Sequence, residues 1–255
     1  MSSGVTTAIA AANPDGITVR GLDLVDDIIG KLGFTEMTYF LCAGVLPTPA
    51  QTRVLDACLV TLMEHGWTPS SIIARVMADS VPEDSQVAIA AGLLSLGSIY
   101  AGTSESCAKL LKAGADAPDL DAFCAETVRE LRSRRAAIPG FGHPLHKPDD
   151  PRTPRLLAVA KEAGVAGKYV DLLVRLGRAV DASFGKHITI NATGAIGALL
   201  LEIGLEPGVM RGLAVVSRAS GLIGHVVEEH RTHAARALWA FAEHEIPYVD
   251  AGHQA

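Results

Sequence analysis

Aromatic residues are scarce. Phe, Trp and Tyr together make up 5% of the 255 residues, while Ala, Leu, Val, Ile and Gly dominate an apolar fraction of 49%. That composition excludes an aromatic-rich β-sandwich and favours close-packed helices around a substantial core. Cysteines are few. Cys42, Cys58, Cys107 and Cys124 show no C-x-x-C spacing, so they read as small buried side chains in a reduced compartment rather than as a disulfide or metal set. Positive charge is not in excess. Lys and Arg number 22 against 28 Asp and Glu, a formal net charge of −6, which excludes a general nucleic-acid binder. No apolar run reaches membrane-spanning length. The first sixteen residues, MSSGVTTAIAAANPDG, lack a basic segment followed by a long apolar core, so no signal peptide is expected. The expected location is the cytoplasm, with no membrane partner. There is no internal repeat and no low-complexity linker.

What is present is mostly helical patterning. LDLVDDIIGKLG puts Leu22, Val25, Ile28, Ile29 and Leu32 on one helical face, with Gly33 as the stop. FTEMTYFLCAGVLPT predicts a short helix ending at Gly44 and Pro47. An amphipathic helix is expected from about Pro49 to Glu64, and Thr68 or Ser70 should cap the next. EDSQVAIAAGLLSLGSIY is apolar and rich in small residues, as a helix buried against another would be. DLDAFCAETVRELRSRR ends in a basic cluster. Five more helical stretches follow Arg152. Only ITVRG and KHITIN have strand character.

The most unusual stretch is PGFGHPLHKPDDPR, from Pro139 to Arg152. Pro139, Pro144, Pro148 and Pro151 each fix φ and remove a donor, and Gly140 and Gly142 open conformations closed to other residues. The backbone is stiff and cannot be helical. It carries His143, His146, Lys147 and Arg152, so it reads either as a functional site or as a linker with solvated charges. A second anomaly lies in GLAVVSRASGLIGHVVEEH. This helix is apolar nearly all round, yet it holds Arg218 mid-length, with His225 two turns on along the same face. A buried guanidinium needs an anion, either a protein carboxylate or a bound carboxylate or phosphate.

These residues resemble the citrate synthase superfamily, which includes citryl-CoA lyases. PGFGHPLHKPDDPR is similar to its G-[FY]-G-H…D-P-R signature. ITVRGLDLVDDIIGKLGFTEMTYFLCAGVLPT resembles its opening segment, EHGWTPSSIIARV its His-x-x-x-x-Ser-[ST] helix start, and SRASGLIGHVVEE its S-R-x-x-G-x-x-x-H-x-x-E helix. The length is nearer the compact citryl-CoA-lyase-like members. The resemblance implies an all-α fold of two domains and a homodimer with shared active sites. A large domain would be built from residues 1–101 and 206–255, with a small domain at 102–205. It implies a di- or tricarboxylate and a coenzyme A thioester as ligands, and no metal. Carried over residue by residue, His143 would hydrogen-bond the reacting oxygen. Arg152 and Arg218 would hold substrate carboxylates, His65 would belong to the oxo-acid pocket, and Arg75, matching an arginine on the same helix, and Asn191, the asparagine of the N-x-D motif, would also bind substrate. Arg134 and Arg135, with Arg132 beside them, and Lys147 are the expected ground for coenzyme A phosphates, if they are not simply solvated.

Two departures stand out. The family reads G-x-x-H-G-G-A where this chain reads GSIYAGT, so Tyr100 replaces the catalytic histidine. The family's N-x-D becomes Asn191-Ala192-Thr193, so Thr193 replaces the catalytic aspartate. A hydroxyl cannot serve as a general base near pH 7, and such a base is worth roughly 10²–10⁴-fold. Three readings follow. The chain is a CoA-thioester carbon–carbon lyase or synthase whose proton chemistry lies elsewhere, with Glu105 a candidate base. Alternatively it is a decarboxylase, or catalyses other enolate chemistry on a carboxy-acyl-CoA. Otherwise it is a non-catalytic carboxylate or coenzyme A binder.

Overall fold

The computed structural model describes residues 4–97 and 102–249. The chain divides into two compact units. One comprises residues 1–61 and 103–211, the other residues 62–102 and 212–255. The expected small domain, 102–205, overlaps the first unit throughout 103–205, and residues 1–61 and 206–211 group with it there. Helices dominate both units, as the scarcity of aromatics and abundance of Ala and Leu predict.

The first unit opens with a three-stranded antiparallel sheet, β1 (Ala10–Asn13), β2 (Gly16–Val19) and β3 (Leu22–Asp23), paired in that order. Asn13 makes the first turn by accepting the amides of Asp15 and Gly16 on its Oδ1. The helix expected from Leu22 to Leu32 is a correction. Asp23 caps only one π-helical turn, Leu24–Ile28. Ile29 is extended and Gly30 left-handed, which ends it. Val25 and Ile29, expected on the apolar face, are 63% and 62% exposed. KHITIN likewise forms no strand; Ile190 alone makes a bridge, to Phe141.

Then follow α1 (Phe34–Ala43), closed by Gly44 in the left-handed region, and α2 (Pro49–Met63). The remaining helices of this unit are α5 (Thr103–Gly114), α6 (Leu120–Ser133), α7 (Arg152–Glu162), α8 (Lys168–Phe184) and α9 (Ala192–Glu202). The centre is α9. Ala192 and every residue from Gly194 to Leu201 are buried, and α5, α7 and α8 pack around it. Only a helix apolar on all sides can take such a place. Ile196, Leu199 and Leu200 each contribute about 1.5–3 kcal/mol relative to exposure. Tyr39 ties α1 to the far end of α9 by donating its hydroxyl to the Ile203 carbonyl at 2.7 Å.

The second unit holds α3 (Pro69–Ser80), α4 (Ser85–Leu94), most of α10 (Pro207–Thr232) and α11 (Ala234–Glu245). Thr68 is the N-cap of α3, with Ser71 reciprocating as acceptor of the Thr68 amide. A small core of Ala78, Ala88 and Val226, backed by Met77 and Ile89, joins α3, α4 and α10. Small side chains there let the helices approach closely.

Candidate active site

The proline-rich loop is shaped by the segment between α8 and α9. Gly142 N donates to Thr189 O at 2.8 Å, Asn191 N to Gly140 O at 3.0 Å, and Asn191 Nδ2 to Gly142 O at 2.8 Å. Further along, Asp150 N donates to Thr189 Oγ1, Thr153 Oγ1 to Ile190 O, and Ala192 N to Asp150 Oδ2. Few of these bonds could be read from sequence, because they join residues 37 to 51 positions apart. They hold a chain that prolines have already stiffened. A linker of solvated charges would not be fastened this way.

Two cationic or polar donors emerge from this frame. His143 Nδ1 accepts the amides of Leu145 and His146 at 3.1 and 3.0 Å. A neutral imidazole has one N–H, so its hydrogen is on Nε2. Arg152 Nη2 lies 3.4 Å from that Nε2. Both atoms are donors, so they cannot satisfy each other. They stand side by side and suit one oxygen that carries or develops negative charge. His146 stacks on the His143 ring with centroids 4.3 Å apart, steadying its plane.

Arg152 is held by Asp150, a residue the sequence reading passed over. Asp150 is fully buried. It accepts Arg152 N at 3.1 Å and Arg152 Nε at 2.9 Å on Oδ1, and Arg152 Nη2 at 2.8 Å on Oδ2. Burial alone would raise this carboxyl, but the Arg152 guanidinium and the Ala192 and Arg152 amides bring it down to about 2. A signal for it existed: a D-P-R triplet puts acid and arginine two residues apart at a helix start.

Asn191 caps α9 by accepting Gly194 N at 3.0 Å. With its amide on Gly142 O, its side chain is engaged at both ends. Thr193 Oγ1 donates to Asn191 Oδ1 at 2.7 Å and lies 3.0 Å from Thr103 Oγ1, which donates to it. The network is a chain of hydroxyls and an amide, without a carboxylate. Glu105 does not supply one. It pairs with Lys109 at 2.5 Å and Arg211 at 3.2 Å, and the Lys109 hydrogen bond leads the influences that hold its carboxyl below the usual range. Glu105 is thus kept ionised and weakly basic. Tyr100 lies outside the described residues.

The second unit carries His65, Arg75 and Arg218. Arg75 is buried, and its guanidinium is directed at protein groups. Nε donates to His225 Nδ1 at 2.8 Å, Nη1 to the fully buried Glu229 at 2.9 Å, and Nη2 to Glu228. Trp67 covers the guanidinium with its ring centroid 4.7 Å away. Each of the three guanidinium nitrogens of Arg75 thus gives a hydrogen bond to a protein group. His225 Nδ1 accepts from a permanent cation, so its hydrogen is on Nε2, which lies 2.9 Å from Glu64 Oε2. Glu64 also accepts the amides of His65 and Gly66. Burial tends to raise the Glu64 carboxyl, but His225 and those amides bring it below its ordinary value.

Arg218 differs from Arg75. Its Nη1 is buried with no hydrogen-bond partner among the described residues. Burial lowers its pKa, against the attraction of Glu64. Among the described residues no anion is bonded to Nη1, the state expected of a group that meets an anionic ligand.

The basic residues proposed for coenzyme A lie on the surface of the first unit. Arg134 pairs with Glu130 at 2.5 Å on α6. Arg135 takes a positive φ of 53° and is exposed, as is Lys147. Arg132 bonds the Ser183 carbonyl and lies over the Phe184 ring.

Comparison with known proteins accords with this arrangement. The family model described as "Citrate synthase, C-terminal domain" matches residues 31–238. The structure of citryl-CoA lyase from Hydrogenobacter thermophilus superposes with a TM-score of 0.88 at 29% identity, covering 99% of this chain and 97% of that one. ATP citrate lyase from Methanothrix soehngenii, solved with citrate and coenzyme A, superposes with a TM-score of 0.82. It covers all of this chain and 43% of that one at 20% identity, a likeness of fold alone. The ATP-citrate synthase beta chain protein 1 of Arabidopsis thaliana is 26% identical over 223 residues. The match takes in 81% of this chain and 34% of the plant protein, so the chain spans about a third of that relative's length. The signature loop, the arginine-bearing helix and a family match over most of the sequence lead to one conclusion: the chain belongs to the citrate synthase family.

Proposed function

We propose that this chain is a CoA-thioester carbon–carbon lyase of the citryl-CoA lyase type, able in reverse to act as a synthase, on a di- or tricarboxylate. The observation that carries the reading is the paired donor set of His143 Nε2 and Arg152 Nη2. In cleavage, the bond between the carbinol carbon and the thioester's α-carbon breaks. The hydroxyl oxygen becomes a ketone oxygen and gives up its proton, and the departing enolate takes one. His143 stabilises charge on that oxygen, and Arg152 and Arg218 hold carboxylates. Tyr100, with a reference pKa of about 10, suits a proton donor better than an acceptor. Asn191 and Arg75 serve as positioning residues, and His65 as a polar wall of the acid's pocket. Arg134, Arg135 and Lys147 take the coenzyme A phosphates. The working form is a cytoplasmic homodimer that needs no metal.

The hydroxyl chain through Thr193 favours a second reading, decarboxylation of a β-carboxy thioester. That reaction breaks a carbon–carbon bond, releases carbon dioxide and forms the same enolate with no base to remove a proton. Both readings are tested by following coenzyme A and acyl-CoA species chromatographically. Substrates are citryl-CoA, acetyl-CoA plus oxaloacetate, and a β-carboxy thioester. Turnover of citryl-CoA that is lost in His143→Gln supports the first reading. Turnover of the β-carboxy thioester alone supports the second. Binding without turnover across all three overturns both.

A further inference from the structure

His187 lies between α8 and α9, in the segment on which the signature loop is built. Its Nδ1 is 2.7 Å from Asp181 Oδ2 on α8, and its Nε2 is 2.9 Å from Asp149 Oδ1 on the loop. A carboxylate oxygen can only accept. A neutral imidazole offers one N–H and one lone pair, so it satisfies one of these carboxylates and turns its lone pair on the other. The bridge is complete only when the ring is the doubly protonated imidazolium. From its geometry we infer that His187 is a positioning residue, a protonation-dependent latch that fastens the Asp149–Arg152 end of the loop to α8.

Asp149 directly precedes Asp150, and Asp150 holds Arg152 in place. Fastening Asp149 therefore bears on where Arg152 Nη2 stands beside His143. The groups that face the ring are Asp181 from α8 and Asp149 from the loop, and the exposed Lys186 precedes it in the chain. Asp181 is itself fixed by the Ile188 amide at 2.8 Å. The hydrogen bonds to Asp181 first, and then to Asp149, raise the His187 pKa above its ordinary 6.5. A raised folded value means that the latch is closed below pH 6.5. It opens as pH climbs through that higher value.

The effect on catalysis rests on the proposed lyase reading, so two measurements keep the failures apart. The first is an NMR titration of His-labelled full-length protein, which needs no activity. The His187 ring should titrate above 6.5 in the wild type and fall in both Asp149→Asn and Asp181→Asn. An unshifted ring, or one indifferent to Asp149→Asn, overturns the latch. The second is the pH dependence of KM for citryl-CoA. Half-exposed ion pairs are modest, so KM should rise about two- to fivefold as the latch opens, with kcat unchanged. His187→Gln should hold the high value at every pH. His187→Arg, a permanent two-ended donor, should hold the low one. A pH step that persists in His187→Gln overturns the positioning role even where the titration succeeds.

Discussion

Gly140 and Gly194 meet backbone to backbone. A Cβ on Gly194 would stand 2.5 Å from the Gly140 carbonyl oxygen, and one on Gly140 would stand 2.8 Å from the Gly194 α-carbon. Gly140 also has φ of +87°. This contact seats the signature loop on the first turn of α9. Gly194→Ala should destabilise by about 1–3 kcal/mol, the usual cost of overpacking. It should also displace the loop, so activity should fall in protein that remains folded. A melting curve and turnover on the same preparation test both parts, and a fully active variant would count against the loop as the site.

Asp150 gives a pH prediction. Its folded pKa is depressed to about 2, so its contribution is present above the unfolded value of about 3.9. It is lost as pH falls through about 2, and amounts to roughly 2 kcal/mol. Asp150→Asn should lower stability at neutral pH and flatten the acid limb of the stability curve. Denaturant midpoints measured from pH 2 to pH 7 would show whether the limb changes.

Arg75 and Arg218 should respond oppositely to the same substitution. Arg75→Met leaves Glu229 buried and unpaired, which should cost about 3–5 kcal/mol. Arg218→Met removes a partly buried charge whose Nη1 has no bonded partner among the described residues, so it should melt no lower than wild type. It should nonetheless lose carboxylate binding by calorimetry. An Arg218→Met protein that binds citrate as wild type does would refute its assignment.

Thr193→Asp together with Tyr100→His restores the family's acid–base pair. If the surroundings still suit that chemistry, the double variant should gain citrate-forming or citryl-CoA-cleaving activity. Groups that act as a unit are non-additive, so each single change should give little. No gain in a folded double variant would shift weight to decarboxylation or ligand binding.

Helix boundaries were legible wherever local chemistry sets them, as at Gly44 and Thr68. The signature loop was legible as a stiff, non-helical segment because its prolines fix φ and remove donors. The strand Ala10–Asn13 was not, since alanines carry no β signal and hairpin pairing supplies the order. Residues 22–32 misled because their apolar spacing fits a helix while Gly30 ends the turn early. The carboxylate partners of Arg75, Glu228 and Glu229, were not legible because they lie more than 150 positions away. A clue was available in HVVEEH, which sets Glu229 one helical turn beyond His225.

The frame beneath the signature loop combines two backbone bonds, Gly142 N to Thr189 O and Asn191 N to Gly140 O, with four that use the side chains of Asn191, Thr189, Thr153 and Asp150. The two backbone bonds do not depend on which side chains their residues bear, whereas the other four do. Ile188 and Ile190 take part only through backbone atoms, so their side chains can drift over evolutionary time so long as they fill the same space. Proline would remove the amide hydrogen that Gly142, Asn191 and Ala192 each give to the frame; Gly142, at φ +77°, also resists any side chain, and Asn191 uses its own. A proline scan would trace the backbone part of the frame, and an alanine scan the part supplied by Asp150, Thr153, Thr189 and Asn191.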